Sequence, residues 1–149
     1  MADDGDLKQL YTAVREAHLQ PLWIDSSSYI PAQPHPRLVP AHWPAGTVFP
    51  LLHEVGRKVH PEFADRRVLV CNNPALPPFS GTTQTLYACL QLLLPGERSS
   101  EHRHSQSAIR FVLSGEGAAT ILNGREVPMR RGDLIVTPPW TWHGHVNDS

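Results

Sequence analysis

Hydrophobic positions along this chain follow two rhythms. Over residues 5–19, GDLKQLYTAVREAHL, apolar side chains fall at Leu7, Leu10, Tyr11, Val14 and Ala17. That three-to-four spacing lays one stripe along a helix, and the acidic residues before it suit a helix N-terminus. From residue 67 the texture changes to short apolar runs broken by turn residues. RVLVCNNP reads as a strand closed by a turn, and QTLYACLQLLLPGE as a longer strand ending at Pro-Gly. HRHSQSAIRFVLSGEG is strand-like up to Gly115 and Gly117. AATILNGREVPM is a hairpin around Asn123-Gly124, a strong turn signal. RRGDLIVTPPWTWHGHVND places a turn at Gly132-Asp133, a strand over 134–137, a Pro-Pro break and a final WHGHV. Short strands with no helices between them predict a mainly β fold, a barrel or sandwich.

Between these regions the pattern is weak. Residues 31–50 carry Pro31, Pro34, Pro36, Pro40, Pro44 and Pro50. They predict an extended arm, anchored by Trp23, Trp43 and Phe49. Residues 51–65 are weakly helical. The expected organisation is a helical and extended arm over 1–65 and a β-barrel over 66–149. His18, His35, His42, His53 and His60 lack partner spacing and read as surface or packing residues.

Composition narrows the function. The 149 residues suit one domain, long enough to bury a core without staples. A net charge of −1 and no basic run argue against a nucleic-acid or membrane-surface partner. The acidic start MADDGDLKQL has no apolar segment of signal-peptide type, and no apolar run is long enough to span a bilayer. Cys71 and Cys89 fit no metal spacing and read as reduced structural thiols. A cytoplasmic protein is expected.

The candidate chemistry sits in two histidine pairs. On a strand, residues i and i+2 share a face, so His102 and His104 point together, as do His143 and His145. Burying four imidazoles without a use is costly. A metal site is the favoured reading; hydrogen-bonded histidines lining a barrel are the alternative. Arg110 lies six residues beyond His104, which on a straight strand puts it on the same face.

Two spacings in the sequence resemble the signature motifs of the cupin superfamily. In the first, Gly96 is followed by five residues and His-x-His. In the second, Gly132 is followed by Pro138, His143 and Asn147. The motif glutamate is absent at Ala108 and Ile109, and Trp140 stands where a glycine is usual. The string LQLLLPGERSSEHRHSQSAIRFVLSGEGAATILNGREVPMRRGDLIVTPPWTWHGHVND is similar to the N-terminal cupin of gentisate 1,2-dioxygenases, a group that includes salicylate and 1-hydroxy-2-naphthoate dioxygenases. PLWID, the proline-rich arm and RRVLVCNNP resemble that family's lead-in.

The resemblance implies a jelly-roll barrel (a double-stranded β-helix) after an N-terminal helix and proline-rich arm. It implies an Fe(II) site held by His102, His104 and His143, without a carboxylate. Three neutral imidazoles leave the full +2 charge of the ion, which favours a dianionic aromatic acid, and they leave positions open for substrate and dioxygen. For gentisate the family's product is maleylpyruvate. Arg110 is then a substrate contact, His145 a hydrogen-bonding neighbour of the reacting groups, Gln91 a residue near the substrate, and Arg66 (or its neighbour Arg67) an arginine at the pocket mouth. Trp140 and Trp142 receive no catalytic role; one is expected in the core. Family members are usually bicupins of more than twice this length, so the barrel is expected to be incomplete at its C-terminus. Either the chain is a fragment, or another segment or subunit covers the barrel edge; a homo-oligomer is expected. Two functions remain open: a ring-cleaving iron dioxygenase or its metal-bearing part, and a non-catalytic cupin that binds a metal or a small acid.

Overall fold

The computed structural model describes residues 4–149 except 25, 35 and 79, with backbone alone at Asp4, Ser28 and Tyr29. His35 therefore lies outside the described residues. The chain divides into two units, Met1–Arg37 and Leu38–Ser149. In the first, the apolar stripe forms helix α1 (Asp4–Glu16), shorter at its end than the pattern suggested. His18 stops it in the left-handed region, φ 57°, and the Leu19 amide returns to the Val14 carbonyl at 2.9 Å. A single 3-10 turn (Leu22–Ile24) and the short α2 (Ser26–Tyr29) follow.

The second unit corrects the expectation of an extended arm over 31–50. Helix α3 spans Ala45–Lys58, with Pro44 at its N-cap and Pro50 inside it. It therefore starts before the weak helical pattern and stops well short of residue 65. A proline this far into a helix removes an amide hydrogen bond and disfavours the helix. Packing outweighs that preference, because α3 lies on strands β1 (Arg67–Val70) and β2 (Cys89–Leu92) and buries Leu52. The contact is close at Gly56, where an added Cβ would meet the Leu92 side chain at 2.6 Å. Buried Arg67 donates from Nη1 to the Gly56 and Val59 carbonyls, both at 3.2 Å, and so satisfies the C-terminus of α3. Its Nη2 pairs with Glu97, whose carboxylate also accepts the Leu94 amide at 2.7 Å.

The remaining strands are β3 (Ala108–Phe111), β4 (Ala118–Leu122), β5 (Arg125–Pro128), β6 (Leu134–Thr137) and β7 (His143–Asn147). They pair antiparallel as β1-β2, β3-β6 and β5-β4-β7. Mainly β is the observed class, and no closed barrel forms among the described residues. Asn123 and Gly124, both at positive φ, make the expected two-residue hairpin between β4 and β5. Two strand expectations were too long. QTLYACLQLLLPGE contributes only β2, and HRHSQSAIRFVLSGEG contains a bend at Ser105-Gln106 before β3 begins.

Strand β7 is buried throughout its five residues. One edge pairs with β4, from Ala118↔Asn147 to Leu122↔His143. The other edge pairs with residues 96–102, through bridges at Arg98↔Val146 and His102↔His143. Between those bridges one side advances by four residues and the other by three, so the 98–102 side carries a β-bulge. The buried apolar core among the described residues is small: Leu52, Ala119 and Val146. Ile109, Phe111, Leu134 and Val136 form an exposed apolar face on β3-β6.

Candidate metal centre

His143 is set by the best-packed strand. It is 1% exposed, and its Nδ1 meets the Thr141 carbonyl at 2.8 Å. That bond fixes the proton on Nδ1 and leaves Nε2 as a bare lone pair, buried and without a hydrogen-bond partner among the described residues. His102 lies directly across the ladder, its backbone exchanging both hydrogen bonds with His143 at 2.9 and 2.8 Å. Directly opposed residues share a face, and the two rings stand 4.3 Å apart. His104 completes the group, 4.9 Å from His143 and 5.6 Å from His102 by ring centroids. Its carbonyl receives the Trp140 amide at 2.8 Å, and its Nδ1 meets the Gln106 carbonyl at 2.8 Å.

The ligand atoms of His102, His104 and His143 all lie within 4.8 Å of one another. The residues fit a transition-metal ion on the chemistry of the donors. Two rings have one nitrogen tied to a backbone carbonyl, the outer bond that orients a ligating imidazole. Desolvation lowers the pKa of His102 and His143, which holds them in the neutral form a metal requires. His102 Nδ1 and His143 Nε2 are buried without partners, an expensive state for an apo cluster.

Arg66 and Arg110 place positive charge near the histidines, and the Asp65 carboxylate lies close enough to feel His102. Arg110, on β3, donates to the hydroxyl of fully buried Thr137 at 2.7 Å and forms no ion pair among the described residues. Burial lowers its pKa, and its charge bears on both His143 and His145. The straight strand invoked for Arg110 does not exist; pairing of β3 with β6 sets its place instead. His145 stands outside the ligand group, its ring 6.3 Å from that of His143. Desolvation first, then Arg110, pushes its pKa down to about 3, so its ring is neutral at physiological pH.

Gln91 is exposed on β2. Arg66 contacts Asp65 at 3.6 Å and its charge reaches all three of His102, His143 and His145. Its neighbour Arg67 is turned to the opposite side, into the α3 junction. Both tryptophans are exposed, at 62% for Trp140 and 45% for Trp142, contrary to the expectation that one packs in the core. Arg103, on the face opposite the ligands, stacks over both rings at 5.9 and 4.9 Å. Sequence reasoning missed Thr137, Asp65 and Glu97.

The chain is similar to known proteins along most of its length. The cupin domain family matches residues 89–149. Over 95% of its length the chain is 43% identical to gentisate 1,2-dioxygenase 1 of Aquipseudomonas alcaligenes, covering 41% of that protein. It is 39% identical, also over 95%, to a gentisate 1,2-dioxygenase of a Streptomyces species, covering 40% of it. All of the chain superposes on salicylate 1,2-dioxygenase from Pseudoaminobacter salicylatoxidans, solved with gentisate, with TM-score 0.83, 39% identity and 41% of that chain covered. The chain thus spans about two fifths of the length of the relatives it matches.

Proposed function

From the premise that this chain is a cupin relative of the gentisate 1,2-dioxygenases, we propose that it forms the metal-bearing part of an Fe(II)-dependent enzyme that cleaves hydroxylated aromatic acids. Gentisate is the substrate proposed, with conversion to maleylpyruvate. One observation carries the reading beside the histidine cluster: a partly desolvated arginine, Arg110, with no anionic partner among the described residues. Such a cation is matched by a carboxylate delivered from outside.

His102, His104 and His143 would hold the ion. Bound there, Fe(II) supplies the electron chemistry that lets dioxygen attack a closed-shell ring. Arg110 holds a substrate oxygen, and Thr137 fixes the direction of its guanidinium. His145, being neutral, hydrogen-bonds the substrate without adding charge. Arg66 draws the anion toward the mouth, and Gln91 adds a polar contact beside it. A cytoplasmic homo-oligomer is the state proposed.

The test is oxygen consumption after anaerobic loading with Fe(II), with gentisate and salicylate run in parallel. Uptake matched by ring-opened product is expected, and His104→Ala should lose it. Arg110→Met should keep its iron and raise the gentisate KM about 10- to 100-fold, the worth of one charged hydrogen bond. Bound iron with no uptake would overturn the catalytic reading and leave a metal-binding cupin.

A further inference from the structure

The bulge beside β7 decides which side chain faces His143. Ser99 is in register with His145, its amide reaching the His145 carbonyl at 2.9 Å. Continued unbroken, that ladder would set Glu101 against His143. The observed partner is His102. The extra residue of the bulge therefore brings the first ligand onto the face of the third.

A bulged residue leaves its amide outside the ladder, and here the missing acceptor is supplied from another part of the chain. Asp65 accepts the Ser100 amide on Oδ1 at 2.8 Å and the Ser100 hydroxyl on Oδ2 at 2.7 Å. Ser99 secures the other end, its hydroxyl accepting the His145 amide at 3.0 Å. Gly144 leaves room beneath: an added Cβ would lie 3.0 Å from Glu101 Cγ and 3.3 Å from the Ser99 carbonyl.

We propose that Asp65 is a positioning residue for the metal centre, clamping the bulge so that His102 faces His143. This rests on the reading of His102, His104 and His143 as a metal site, and it does not depend on turnover. The Asp65 carboxylate is exposed and hydrogen-bonds none of the ligand rings; apart from the backbone of residues 99–102 it reaches them only through its charge, felt by His102 and by its neighbour Arg66, and Asp65→Asn removes that charge while keeping the clamp.

The test is titration of the whole chain with Co(II), read by affinity and by the visible ligand-field spectrum. Asp65→Ala should weaken Co(II) binding about 10- to 100-fold, the usual cost of losing an outer partner of a ligand, and should change the spectrum. Asp65→Asn keeps an acceptor for the Ser100 amide and should restore most of the affinity. Ser100→Ala, a change at an exposed hydroxyl with little bearing on folding, should cost about threefold, since only one of the two bonds is lost. Parent-like affinity and spectrum in both Asp65→Ala and Ser100→Ala would overturn the proposal. A parent chain that fails to bind Co(II) would overturn the metal-site reading as well.

Discussion

Replacing His143 by alanine should remove metal binding, lowering affinity for Fe(II) or Co(II) by more than about 100-fold. Loss of an outer hydrogen-bond partner alone costs 10- to 100-fold, and this change removes a donor atom. His143 is the most buried of the three and has its second nitrogen fixed to Thr141. The chain should remain folded, because the neighbouring pairing of β7 with β4 runs through backbone bonds that alanine keeps. Metal analysis of protein purified under nitrogen, beside a circular dichroism melt, measures both quantities. Iron retained at parent stoichiometry would remove His143 from the ligand set.

The largest stability effect is expected away from the metal. Arg67→Met should destabilise the fold by about 3–5 kcal/mol, the range for breaking a buried ion pair on one side. That corresponds to a fall in Tm of roughly 10–20 °C for a unit of this size. The Arg67 side chain is 3% exposed and its guanidinium holds two carbonyls at the end of α3 as well as Glu97. Its removal strands a carboxylate and two helix-end acceptors together. The double variant Arg67→Met/Glu97→Leu should recover much of the loss, because a buried pair replaced as a whole costs little. Recovery stays incomplete, since the Leu94 amide loses its acceptor. Thermal melts of the three proteins decide this, and a Tm unchanged in Arg67→Met would show that the pair contributes nothing to the fold.

The sequence made the site more legible than the frame around it. His-x-His and WHGHV carry period-2 information, which survives in any extended backbone, so the pairing of faces could be read directly. The Asn123-Gly124 hairpin was visible because that turn demands positive φ at both positions. Helix α3 was obscured by Pro44 and Pro50, whose local preferences are overridden by packing on β1 and β2. The bulge had no signature, since Ser-Ser-Glu reads equally well as a loop or a strand. Asp65 and Ser100 meet across 35 positions of chain, a pairing that no local pattern encodes. Arg110 shows the reverse case: its even spacing from His104 has no meaning across the bend at Ser105, and its position follows from pairing with β6 instead.

The stacking of Arg103 on Trp140 and Trp142 gives the metal centre an optical neighbour. Arg103 lies between His102 and His104, Trp140 donates its amide to the His104 carbonyl, and Trp142 is bonded directly to His143. Open-shell ions quench indole emission at short range. Loading the three-histidine cluster with Co(II) should therefore dim two of the four tryptophans of the chain, a change that steady-state fluorescence reads without a label.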